Sequence, residues 1–367
     1  MDFERHDRRG FSLVELLVSM AVTSLVMGGV FSVMTSATRA QNSVRHVTSM
    51  NNNLRVAMDL LVRDMIQAGQ GLPSGMVVSV PSGAGALPIV RPGPIGSNLT
   101  FDPNLSTIGA VTVGPGLGPA INGQATDMIT VLAADNAFDE VTLTAINDIS
   151  MTVHPSTDID DVPDILGDNI RVGDLILFEK GSASTLRFVT AVNGQIVQFQ
   201  EGDPLNLNQA GAPDGTMAQY LAEAPAEVLA AGILPSRATR LRMISYYLET
   251  PGDPQRDLRL IRRINDNPPT TVAFFIESFL ITYDIVDGVT NPVNVQMNAA
   301  DLDGTGDCDP DPATPPVLTC SPNQVRKVNV RLTGRSAEPN HETRLFYRNT
   351  LNTQVSLRSL ALVNRYM

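Results

Sequence analysis

Residues 10–38 read GFSLVELLVSMAVTSLVMGGVFSVMTSAT, and the 23 residues from Leu16 to Thr38 carry no charge. An α-helix rises ~1.5 Å per residue, so about 20 apolar residues cross the hydrocarbon core of a bilayer. This run is long enough to do so. Arg5, Arg8 and Arg9 precede it, and the bias for positive residues on the cytoplasmic side keeps the N-terminus there, with everything after Thr38 across the membrane. Asp2, Glu4 and Asp7 neutralise the leader formally, and Arg39 and Arg45 lie beyond the run. Acidic residues weigh little in this rule, so the orientation stands. The plain alternative is a secretory signal peptide that is cut away. Two features oppose it. The run exceeds the roughly 7–15 residues of a signal core and no A-x-A site comes after it. Glu15 also opens the apolar stretch, where a charge costs up to about 2.5–3.5 kcal/mol at the bilayer centre and less near its edge.

Beyond Thr38 the apolar period stays helical. Val47, Met50, Leu54, Met58, Leu61 and Met65 recur at three- and four-residue spacing, with Asn51, Asn52, Arg55, Asp59, Arg63 and Asp64 between them. No proline intervenes before Pro73, and Gly69-Gln70-Gly71 supplies a stop. The pattern predicts one helix over residues 11–68, about 87 Å long. Its second half buries one stripe, which reads as packing rather than as a cofactor site.

The body beyond the helix is turn-rich, in a chain with 28 Gly and 25 Pro among 367 residues. Residues 71–125 read as loops with short strands. The glycines of 109–123 (GAVTVGPGLGPAING) lack a succeeding Lys-Ser or Lys-Thr, so they form no phosphate loop. Strands are predicted at Met128–Leu132, Val141–Ile146, Leu175–Phe178, Leu186–Val192, Ile196–Phe199, Leu241–Leu248, Leu258–Ile264, Val272–Ile285, Val325–Leu332 and Val355–Leu362. A second helix is predicted at Ala222–Ala231. The fold class is α+β: a long N-terminal helix laid on an antiparallel, β-rich head. The boundaries are 1–10 for a leader, 11–38 and 39–70 for the apolar and amphipathic halves of the helix, and 71–367 for the head.

Charge obeys the same division. The net charge is −12, but residues 1–68 carry seven Arg against six acids, residues 69–239 five basic against eighteen acidic, and residues 240–367 fourteen of each. An acidic head makes no nucleic-acid binder, because phosphate contacts need a basic face. There is no G-x-S-x-G, H-E-x-x-H or C-x-x-C and no clustered His, so no enzyme is expected.

Gly10-Phe11-Ser12-Leu13-Val14-Glu15, behind a short Arg-containing leader and ahead of an apolar helix, resembles the class III signal of type IV prepilins. The resemblance implies cleavage between Gly10 and Phe11 by a membrane-embedded prepilin peptidase, which then N-methylates Phe11. Glu15 becomes the fifth residue of the mature chain, the position that family uses to pair with a neighbouring subunit's N-terminal amine. A buried carboxylate is tolerable when an ammonium neutralises it. Major pilins commonly carry a Pro in mid-helix, where this chain has Ser32 just after Gly28-Gly29. That departure implies a straighter helix, or one flexible at the glycine pair, and a minor or pilin-like subunit.

Phe279–Asp284 (FLITYD), the loop Asp301–Asp307 (DLDGTGD), Val325–Ser336 (VRKVNVRLTGRS), and Thr353–Leu357 (TQVSL) with Arg358 resemble the PilW family of minor pilins. This likeness implies a subunit held in the bacterial inner membrane with a periplasmic head. It then joins other minor pilins, the major pilin and a large tip adhesin to start a pilus at the cell surface. The rival readings are a tip pseudopilin of a type II secretion system and a signal-anchored periplasmic binding protein.

Cys308 and Cys320 are the two cysteines. Placed outside the cytoplasm, they are expected to form a disulfide across a short proline-rich loop. Asp301, Asp303 and Asp307 open like a calcium loop with a glycine at the sixth place, but Pro312 stands where the bidentate Glu belongs. An EF-hand is therefore excluded, which leaves a looser Ca²⁺ site or an acidic surface turn. No other cofactor is expected.

Overall fold

The computed structural model describes residues 12–72, 77–103, 105–135, 143–153, 170–180, 183–222, 237–252, 257–285, 296–297, 325–341 and 343–357. Helix α1 runs unbroken over Leu13–Ile66, 54 residues, or about 81 Å. It passes through Gly28-Gly29 and Ser32 without interruption. The chain leaves it through a turn in which the Gly69 amide donates to Leu132 O at 2.8 Å. That bond ties the helix exit to the head.

The strands are β1 Val77–Ser79, β2 Thr107–Gly109, β3 Val111–Gly114, β4 Met128–Ala134, β5 Leu143–Asn147, β6 Ser150–Val153, β7 Leu175–Lys180, β8 Ala183–Phe188, β9 Ala191–Asn193 and β10 Ile196–Gln198. After α2, Met217–Ala222, come β11 Arg237–Glu249, β12 Arg259–Ile264, β13 Thr270–Phe274, β14 Ile276–Ile285, β15 Gln296–Met297, β16 Val325–Pro339 and β17 Phe346–Ser356. All pairing among the described residues is antiparallel. The largest sheet has seven strands organised by β11, which pairs with β4, β7 and β12. A four-stranded sheet runs β15-β14-β16-β17, and smaller sheets hold β5-β6-β10-β9 and β1-β2.

Period-two alternation makes the seven-stranded sheet two-faced. Ile129, Val131, Ile244, Tyr246 and Leu248 pack into a core with the second half of α1 and the inward residues of β14 and β16. Leu132, Leu177, Leu241 and Met243 point the other way, against Val78, Val80, Ile89 and Ile108. The predicted α+β class, with a long helix on antiparallel sheet, is what the structure shows.

Several boundaries differ from expectation. Val272–Ile285 is not one strand, because Phe275 adopts φ 60°, a conformation bulky residues rarely take. Its amide donates to Leu258 O (2.6 Å) and its carbonyl accepts from the Arg335 amide (2.9 Å). One residue thus hands the chain from the seven-stranded sheet to the four-stranded one. The predicted Leu186–Val192 strand breaks after Phe188, where the Val189 amide turns to Asp174 O. The last strand ends at Ser356 rather than spanning Val355–Leu362, and it begins at Phe346 because β16 needs a partner along its length. Residues 358–362 lie outside the described residues. So does the predicted second helix, except Ala222, which closes α2.

Candidate functional site

The site expected from sequence is the N-terminal segment, so its structure begins at the helix cap. Ser12 is extended (φ −74°, ψ 146°) and forms a reciprocal capping box with Glu15. The Glu15 amide donates to Ser12 Oγ, and the Ser12 amide donates to a Glu15 carboxylate oxygen, both at 3.2 Å. Two amides without helical partners are thereby satisfied, and the carboxylate sits at the positive end of the helix dipole. The spacing Ser12-Leu13-Val14-Glu15 is itself the S-x-x-E capping signature. The charge-pairing expectation for Glu15 does not use it, so this local role is the one that reading missed.

From Leu13 to Met34 the large apolar side chains stand exposed; Leu13 and Leu25 are 77% and 80% exposed. The helix is long and apolar enough to cross a membrane, and none of its most apolar window is buried within the protein. Five of its hydroxyls bond back to the helix itself. Ser19, Ser24, Thr35, Ser36 and Thr38 donate to carbonyls three or four residues back, at 2.8–3.0 Å. In a hydrocarbon setting such back-bonding removes the cost of an unpaired hydroxyl. A Cβ at Gly28 or Gly29 would meet nothing within 4 Å, so no packing among the described residues requires these glycines.

The second half is seated firmly. Met50, Leu54, Ala57, Met58, Leu61 and Met65 are buried, with Val47 packed at the edge; this is the predicted stripe. Gly334 of β16 permits a close approach, since a Cβ there would lie 3.1 Å from Leu54 Cγ and Cδ2. Asp64 is a correction. The sequence places it among the polar positions outside the stripe, yet it is 3% exposed. Its carboxylate accepts from Arg262 Nε (2.6 Å) and Nη2 (3.2 Å) of β12 and from Tyr246 Oη (2.5 Å) of β11. Burial, and then the Asp64 charge, push the Tyr246 hydroxyl well above its ordinary pKa. It therefore stays a donor, and the cluster pins the helix to the sheet.

Gly10, Phe11, Cys308, Cys320, Asp301, Asp303 and Asp307 lie outside the described residues. Among the described residues no three His, Cys, Asp or Glu are grouped so as to hold a metal. No curated protein and no solved structure matches the chain. Residues 5–31 match the prokaryotic N-terminal methylation motif. That match covers the second half of the leader and the apolar helix as far as Phe31, and it supports a type IV pilin-like chain with a class III signal, processing by a prepilin peptidase and membrane anchoring through the helix.

Proposed function

We propose that this chain is a minor pilin of the PilW kind, a non-enzymatic subunit that helps start a type IV pilus and sits near its tip. Prepilin peptidase would remove residues 1–10 and methylate Phe11. The helix would wait in the inner membrane with the head in the periplasm, and would then join other minor pilins, the major pilin and a tip adhesin. The observation that carries this reading is the division of α1. One half buries a stripe in the head, and the other, most of it under a methylation motif, is exposed. Such a surface needs lipid before assembly and neighbouring helices afterwards.

Two measurements test it. Mass spectrometry of the membrane-extracted protein should find a chain beginning at methylated Phe11; an intact leader, or an N-terminus near Arg39, would refute the filament reading. Deleting the gene should abolish surface pili and leave secreted exoenzymes at wild-type levels. Normal piliation with lost secretion would assign the chain instead to a type II secretion filament.

A further inference from the structure

The β16–β17 hairpin follows α1 from the core back toward its apolar half. Gly334 lies against Leu54, Asn349 Nδ2 donates to Asn51 Oδ1 at 2.8 Å, and Glu338 Oε2 stands 3.6 Å from His46 Nε2. These contacts step along about 12 Å of helix. The hairpin tip then reaches the level of Arg39, where a cleft of about 280 Å³ opens between the two elements. Its helix wall is Arg39, Asn42, Ser43 and His46, whose spacing puts them on one face. Arg39 is the first residue after the uncharged run that ends at Thr38. With that run across a bilayer, the cleft sits at the polar edge of the membrane, among lipid headgroups.

The hairpin tip is locked in the shape that makes this cleft. The Asn340 amide donates to Leu345 O (2.8 Å), and the Arg344 amide donates to Asn340 O (2.9 Å). Asn340 Oδ1 accepts from the Thr343 amide at 3.2 Å, and its Nδ2 donates to Tyr347 Oη. Arg344 holds φ 58°, a left-handed conformation that Asn or Gly takes more readily. The turn nevertheless carries an Arg there, and it lines the cleft on the side across from Arg39. The next residue, Leu345, is 66% exposed.

Charge and place together choose the ligand. The chain carries −12 overall, yet this cleft has two permanent cations, Arg39 and Arg344, and two imidazoles, His46 and His341. Glu338 is the one acid in the lining among the described residues, and it faces His46. Guanidinium groups take phosphate oxygens through paired N–H donors, and Asn42 and Ser43 add further donors. An apolar side chain next to a cation suits a bilayer surface: Leu345 enters the interface while Arg344 stays with the headgroups. We propose that the cleft binds the phosphate of an anionic phospholipid headgroup, so that the β16–β17 tip rests on the membrane beside α1. This inference rests on the reading of α1 as a membrane anchor.

The chain has no tryptophan, so an introduced one reports alone. Leu345→Trp and a control within the span, Val26→Trp, are each made in the full chain. Both are measured in nanodiscs of equal parts phosphatidylcholine and phosphatidylglycerol, with bromine on the acyl chains of one lipid or the other. Val26→Trp fluorescence should be quenched by either. Leu345→Trp should be quenched about twofold or more strongly when phosphatidylglycerol carries the bromine, since each Arg near a bilayer favours an anionic surface about fivefold. Adding Arg39→Gln and Arg344→Asn should equalise the two lipids and leave the thermal midpoint unchanged, because Arg39 is exposed on a helix and Asn accepts a positive φ. Inorganic phosphate at about 10 mM should not alter the preference, because the bilayer holds its phosphates at a high effective concentration. Equal quenching of Leu345→Trp by the two lipids, with Val26→Trp quenched, would overturn the proposal and leave the anchor standing. So would a preference that survives the loss of both arginines. Loss of the preference in inorganic phosphate would assign the cleft to the free ion instead. Val26→Trp left unquenched would overturn the anchor and the proposal together.

Discussion

Glu15 has two separable jobs at the level of single residues. In the isolated chain it closes the capping box with Ser12; in the proposed filament its charge meets a neighbour's amine. Gln serves equally well at this position of a capping box, so Glu15→Gln keeps the cap and removes the charge. Incorporation into sheared filaments, scored by immunoblot, should fall as far for Glu15→Gln as for Glu15→Ala, with cleavage after Gly10 intact in both. Ser12→Ala, which costs about 1 kcal/mol of cap, should still assemble. Filaments that accept Glu15→Gln would show that the cap, not the charge, is what assembly needs. Asp64 obeys a different logic, because its charge is already neutralised within the chain by Arg262. Asp64→Ala leaves a guanidinium in a largely buried site, which costs about 3 kcal/mol. The check is urea unfolding of the solubilised protein. The S-x-x-E cap was legible because both partners lie in one turn. The burial of Asp64 was not, because Arg262 is 198 residues away in sequence.

At the level of elements, α1 is one helix with two solvents. The stripe from Met50 to Met65 was legible from its three- and four-residue period, since burial on one helix face imposes that period. Leu54 is fully buried against Gly334, whereas Val56 in the same turn is 58% exposed. Leu54→Ala should therefore cost about 2–5 kcal/mol, and Val56→Ala less than about 0.5 kcal/mol, in the same denaturant titration. The β-elements were legible as apolar runs, but their ends were not. Phe275 shows the reason. An apolar run says that a segment is buried, not which of two sheets buries it, and the crossing is set by bonds to Leu258 and Arg335.

For the whole molecule, the exposed and buried halves of α1 imply that the head folds without the apolar half. A chain beginning at Arg39 should keep the full chain's thermal midpoint to within about 3 °C, since residues 13–38 bury nothing in the head. A larger fall would mean that the apolar half supports the head. The sequence by itself determined the long helix, its split into a membrane-compatible and an amphipathic half, the methylation motif and the antiparallel β character of the body. Each of these is written in local order, as a run without charge, a helical period, a six-residue signal or an alternating strand. Only the tertiary structure decided that β11 organises the large sheet, that Asp64 bolts the helix to it, and that a bridge joins Ser82 to Asp214. The β4–β11 pairing, the Asp64–Arg262 contact and the Ser82–Asp214 bridge join residues more than a hundred positions apart, and contacts at that range arise from how the sheets pack, which no local pattern encodes.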